Sequence, residues 1–163
     1  MDSTLLNVKG LTVAFKDNKV VDNISFKVKK AETFALVGES GSGKSITALS
    51  VLRLLPNNAQ VLAKEISLND DNLLKIAEVD FCNIRGKRIG FIFQDPMSSL
   101  NPVMTIGEQI AEVLDIHFNY SKQKTQQSVL ELMKQVEIPQ AERRIKEYPH
   151  QLSGGQCQRV MIA

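Results

Sequence analysis

Residues Gly38 to Ser45 read Gly-Glu-Ser-Gly-Ser-Gly-Lys-Ser, the spacing G-x-x-x-x-G-K-[ST], and no other feature of the chain narrows its fold so sharply. This spacing demands a strand that runs into a tight glycine turn and opens a helix. The flanking sequence agrees. Thr33-Phe-Ala-Leu-Val37 is short and continuously apolar, as expected of a parallel strand covered on both faces, and Ile46 to Leu55 reads as helix until Pro56 and Asn57-Asn58 stop it. Across Gly38, Glu39, Ser40, Gly41, Ser42 and Gly43 the backbone N–H groups would converge on phosphate oxygens, helped by the dipole of the helix that follows. Lys44 would pair with the β and γ phosphates of a nucleotide, and Ser45 would set its hydroxyl on Mg²⁺. The plainer alternative is a Gly/Ser-rich turn with an exposed lysine.

Composition places this loop in an ordinary globular setting. The 163 residues, 43% hydrophobic and 23% charged, suit one compact domain and exclude disordered, collagen-like and disulfide-scaffold classes. With 20 Lys+Arg against 18 Asp+Glu the net charge is +2, which lacks the concentrated basic face of a dedicated nucleic-acid binder. Cys82 and Cys157 lie 75 residues apart, outside any zinc-ligand spacing, and read as free thiols. No signal peptide shows in Met1 to Gly10 and no apolar run approaches a membrane span, so the expected compartment is the cytoplasm.

Around the loop the rhythm is first strand, then helix. Leu11, Val13 and Phe15 alternate with polar or small residues, and so do Ile24, Phe26 and Val28 beyond the break at Lys16 to Lys19, predicting antiparallel ribbons with one wet face. A weaker strand is expected at Glu65 to Leu68, and a buried one at Arg88 to Phe93. Past Gln94 everything reads as loop or helix. Thr105-Ile-Gly-Glu108 predicts a capped helix to about Ile116, Ser121 caps another that Pro139 closes, and Ser153 with Gln156 opens a third with no stop signal before Ala163.

Hydrolysis would need a carboxylate at the end of a hydrophobic strand and a group that orients water. Asp95 is the one candidate carboxylate, but Asp-Pro is also an ordinary turn opener, and Gln94 could offer its amide to Mg²⁺ or water or simply be a solvated glutamine. Leu152-Ser153-Gly154-Gly155-Gln156 is a second helix N-terminus able to receive an anion, or a plain capped helix start. Two such sites about 110 residues apart exceed the needs of one nucleotide and point to a dimer with shared sites.

Gly38 to Ser45, Gln94 and Leu152 to Gln156, in this order and spacing, resemble the ATP-binding subunit of an ABC transporter. Thr47 to Ser50, Phe91 to Pro102, Ile106 to Ile110 and Tyr148 to Ser153 resemble its peptide/nickel import subfamily, with dipeptide, oligopeptide, glutathione and microcin C-type members. The resemblance implies an α/β P-loop NTPase fold: a RecA-like core with an N-terminal antiparallel ribbon over residues 1–94 and a helical subdomain over 95–163, incomplete at the C-terminus. It further implies a Walker A loop at Gly38 to Ser45, a Q-loop at Gln94 acting on water and Mg²⁺, and Phe15 stacking on adenine, although Phe15 could equally be core beside Leu11 and Val13. Ser153, Gly154, Gly155 and Gln156 would be the signature that contacts the γ-phosphate of ATP held by a second ATP-binding subunit, identical or different. Permease subunits would dock in the groove beside the Q-loop, a solute-binding protein would act indirectly, and the site would lie on the cytoplasmic side of the inner membrane.

The resemblance also implies that Walker B with its catalytic glutamate, the D-loop and the switch histidine would all follow residue 163. His117 and His150 read as surface or capping residues, and Cys157 stands where a basic residue is usual. The expected function is the Mg-ATP-binding ATPase subunit of an importer of peptides or related small solutes; the alternative is a truncated, non-hydrolysing nucleotide-binding product. A nucleic-acid ATPase is disfavoured because only 57 residues separate Gln94 from Leu152, too few for the usual coiled-coil or zinc insertion. A doubly wound sheet short of its later strands would leave Thr33 to Val37 without a neighbour, so the chain alone is expected to melt broadly or aggregate.

Overall fold

The structure, a computed structural model, describes residues 4–163. They form two compact units, one ending at Arg85 and the other spanning Gly86–Ala163. The first is built on a long antiparallel hairpin, β1 (Thr4–Phe15) and β2 (Asn18–Lys29), turned at Lys16 with φ 54. The opposite edge of β1 takes β3 (Ala59–Leu62) and β4 (Glu65–Leu68), both antiparallel, and the short β5 (Asp71–Asn72) pairs with β4. Val8, Leu11 and Val13 are fully buried beneath it. Their spacing breaks the two-residue period because the register shifts between Val8 and Leu11, where Gly10 takes φ 59 and absorbs an extra residue as a bulge.

Helix α1 (Lys44–Val51) packs on β1 and β2 through Thr47, Ser50 and Val51. It starts and stops earlier than its sequence pattern suggests. Arg53 adopts φ 53, its N–H bonds to Ser50 O at 3.2 Å, and Leu54 N–H returns to Leu49 O at 2.9 Å. This is the helix-ending turn that glycine usually supplies, here made by an arginine. The unit closes with α2 (Glu78–Phe81), whose Phe81 is fully buried with the guanidinium groups of Arg53 and Arg85 over its ring.

Two expected buried strands are absent. Thr33 to Val37 forms no ladder and is exposed, with Val37 93% accessible, and Phe34 stacks instead on Phe26 at 5.1 Å. Arg88 to Phe93 forms no extended ladder either; Phe91 and Phe93 meet edge to face at 4.7 Å, and Ile92 and Phe93 are exposed. A strand is defined by its neighbours, and among the described residues no strand lies alongside either segment to satisfy its N–H and C=O groups.

The second unit is helical: α3 (Pro96–Ser99), α4 (Ile106–His117), α5 (Lys122–Gln135), α6 (Ala141–Arg144), a 3₁₀ turn (Pro149–Gln151) and α7 (Gly154–Ile162). Its core gathers Ile106, Ile110, Val129, Met133, Leu152, Cys157 and Val160 with their neighbours. Predicted caps are in place at Thr105, Ser121 and Ser153. Helix α5 ends before Pro139 because Glu137 turns left-handed at φ 56, with Ile138 N–H returning to Met133 O at 2.9 Å.

In the α4 cap, the Thr105 N–H donates to Glu108 Oε2 at 2.8 Å, which holds the Glu108 carboxyl below the usual glutamate range. A lowered folded pKa contributes stability above the unfolded value and loses it as pH falls through the folded one. Wild type should therefore be more stable than Glu108→Gln at pH 7, and the gap should close as pH falls through the glutamate range, read by urea unfolding at each pH.

Candidate phosphate-binding site

The glycine loop builds a shallow cavity of about 240 Å³ lined by Val20 and residues 41–46. Ser42 N–H closes a turn onto Glu39 O at 3.2 Å, Gly41 takes φ 81, and Gly43 takes φ 88 as the residue that opens α1. Only glycine suits position 43. A Cβ there would sit 2.7 Å from Val20 O and 3.0 Å from Val21 Cγ2, so the left-handed turn also lets the loop press onto β2. The first helical turn is locked from the far side by Thr47, whose N–H and Oγ1 both donate to Gly43 O, at 2.8 and 2.9 Å. Sequence reading passed over Thr47 in this role, although a hydroxyl four residues past a loop glycine is its signal.

No side chain caps the N-terminus of α1. Its opening amides and the positive end of its dipole therefore face the cavity, a natural seat for an anion. Lys44 Nζ folds over the loop, donating to Gly38 O at 2.9 Å, Glu39 O at 2.6 Å and Ser42 Oγ at 3.3 Å. Ser40 and Glu39 are exposed, and Ser45 is exposed where it lines the cavity. Ser45 Oγ is a neutral, hard oxygen, the donor type that suits Mg²⁺ carrying its own waters. Among the described residues, no cluster of three or more His, Cys, Asp or Glu side chains could hold a metal ion by itself. Phe15 is half-buried at the tip of the hairpin, opposite Asn18 and Ala59 in register, two positions from the pair of Val13 with Val21.

The other predicted site residues belong to the second unit. Gln94 is exposed in a bend. Asp95 caps α3, its carboxylate accepting the N–H groups of Met97 at 3.1 Å and Ser98 at 3.4 Å, so the turn-opening reading describes its local role. Ser153 Oγ accepts the Gln156 N–H at 3.3 Å while Gln156 Oε1 accepts the Ser153 N–H at 3.0 Å; Gly154 and Gly155 are exposed in the first turn of α7, with open space where side chains would be. Cys157 is a core residue rather than a surface one: it is fully buried, its Sγ donates to Pro149 O at 3.4 Å, and burial pushes its thiol pKa up. His150 is exposed and stacks on Tyr148 at 5.7 Å. His117 is the last residue of α4, as the capping reading places it, with its ring half-buried and Nδ1 buried without a partner.

A glycine loop, a lysine and an uncapped helix N-terminus on one cavity, beside an antiparallel sheet and followed by a helical unit, define an α/β fold of the phosphate-loop NTPase class. The model of the ABC transporter family matches residues 21–163, and the chain belongs to that family. Among curated proteins it is 50% identical to the oligopeptide transport ATP-binding protein AppD of Bacillus subtilis (strain 168), over 99% of this chain and 51% of that protein. It is 44% identical to the dipeptide transport ATP-binding protein DppD of Escherichia coli (strain K12), over 98% of this chain and 50% of that one. The chain thus spans about half the length of these relatives. Among solved structures, the dimeric post-hydrolysis state of the ATP-binding cassette MJ0796 bound to ADP and Pi superposes with a TM-score of 0.81 at 27% identity, covering 97% of this chain and 67% of that one.

The fit of Gly43 against Val20 gives a direct test. Gly43→Ala should lower the unfolding free energy by roughly 1–3 kcal/mol, from the left-handed φ and the contact with Val20 O; a urea titration that finds no loss would contradict this geometry.

Proposed function

We propose that the chain is the ATP-binding part of the ATPase subunit of an importer of peptides or related small solutes. The observation that carries this reading is the convergence of the Lys44 ammonium and the uncapped N-terminus of α1 on one cavity. The names of the relatives, oligopeptide and dipeptide transport ATP-binding proteins, supply the transported class.

In this reading Gly38 to Ser45 bind the phosphates, with the backbone amides of Glu39 to Gly43 and the Lys44 ammonium as donors. Lys44 exchanges its three loop acceptors for phosphate oxygens. Ser45 Oγ and the Gln94 amide oxygen offer ligands to Mg²⁺, which when bound offsets phosphate charge. Phe15 provides a flat ring for adenine. Gln94 orients water, but an amide cannot take its proton at neutral pH. Residues 1–94 form the N-terminal part of the nucleotide-binding core and residues 95–163 the helical subdomain.

Ser153, Gly154, Gly155 and Gln156 act in trans, at the N-terminal end of α7, on the γ-phosphate of ATP held by a second ATP-binding subunit. The dimeric MJ0796 cassette supports that arrangement by its fold likeness. Permease subunits dock beside Gln94, and a solute-binding protein delivers cargo to them; nucleic acid is not a partner. No helix among the described residues is long and apolar enough to cross a membrane, in keeping with a peripheral place on the cytoplasmic face.

By itself the 163-residue polypeptide should release phosphate from Mg-ATP at near-background rate, because the Asp95 carboxylate is engaged as the cap of α3. Lys44→Ala should weaken ATP binding tenfold or more, on the order of 1.4 kcal/mol, by calorimetry. Unchanged affinity would overturn the site, and turnover abolished by Lys44→Ala would overturn the inactivity and make Asp95 the first base to test.

A further inference from the structure

Helix α1 is anchored at both ends, and the second anchor is not part of the phosphate loop. At its C-terminal end, Arg85 Nε donates to Leu52 O at 2.8 Å and an Arg85 NH₂ group donates to Arg53 O at 3.3 Å. The guanidinium is itself fixed by Glu78 at 2.7 Å and by the ring of Phe81, 4.8 Å from its centre. Arg53 shares Phe81 and Glu78, but its side chain donates to Ile76 O and Leu73 O, away from the Leu52 and Arg53 carbonyls that follow the last turn of α1.

A helix of eight residues has few internal bonds with which to hold its own axis. Its last carbonyls need donors, and a cation at that end also complements the dipole whose positive end meets the phosphates. We propose that Arg85 is a positioning residue of the phosphate site: by capping α1 from behind, about 12 Å from the loop at 1.5 Å per residue, it holds the amides of residues 44–46 on the cavity. Arg85 is also the last residue of the first unit, followed by Gly86 at φ 79. The same contact therefore ties the phosphate helix to the chain where it leaves that unit. The proposal rests on the nucleotide-binding reading.

The test compares four single variants by calorimetry with ATP and with inorganic tripolyphosphate. Arg85→Gln should weaken both ligands by a common factor of about three to ten, since the effect passes through the amides and not the base, and Arg85→Lys should recover most of it. Arg53→Gln removes the other guanidinium from Phe81 and should cost similar thermal stability with less than a twofold change in either affinity. Arg85→Gln binding like wild type, or Arg53→Gln weakening binding as much, overturns the role of Arg85. Unchanged binding by Lys44→Ala would instead overturn the underlying site. Should Arg85→Gln fail to fold, hydrogen exchange on wild type decides: ATP should slow exchange across residues 78–85, and no change there overturns the proposal.

Discussion

Everything at the phosphate loop follows from backbone amides that the chain declines to satisfy by itself. Among the described helices of eight or more residues, α4, α5 and α7 each begin with a hydroxyl that takes back an N–H of the first turn, from Thr105, Ser121 and Ser153. Helix α1 begins with Gly43, which has no side chain to do so. The turn that forbids a cap is the same turn that brings Gly43 against Val20 O. Open amides and close packing on the sheet are thus two results of one missing Cβ.

Helix α1 is also short, ended by the left-handed turn at Arg53, and a short helix needs help from elsewhere. The first unit gives it through Arg85 on Leu52 O and Arg53 O. The second unit repeats the device: Arg159 of α7 donates to Val136 O at 3.0 Å and Glu137 O at 3.2 Å, the carbonyls that end α5. In both places a guanidinium from a distant segment supplies donors to the negative end of a helix, and in both the helix has just closed in a left-handed turn without glycine.

The parts of the fold legible in sequence are those whose physics is local. Hydroxyl caps with Glu or Gln three residues on, the hairpin turn at Lys16, and the glycine loop each fit within eight residues, and each forms where its pattern stands. The helix ends at Arg53 and Glu137 were hidden because ordinary side chains there adopt a backbone conformation usually marked by glycine. Thr33 to Val37 carries the composition of a buried strand, yet burial and pairing belong to neighbours that a pentapeptide cannot specify. For the site, the loop residues were plain from spacing, whereas Thr47 behind Gly43 and Arg85 behind α1 were not, since their roles arise only once strand, helix and the 78–85 segment are packed together.

The cap at Ser153 carries one more consequence. Its oxygen receives the Gln156 N–H, which occupies a lone pair and leaves the hydroxyl proton uncommitted. A glutamine cap-box partner, unlike a glutamate, adds no negative charge beside that proton. In the proposed role, an arriving oxyanion would be met by Ser153 as donor without unwinding the first turn of α7, so that holding the helix and holding a ligand would fall to opposite sides of one oxygen atom.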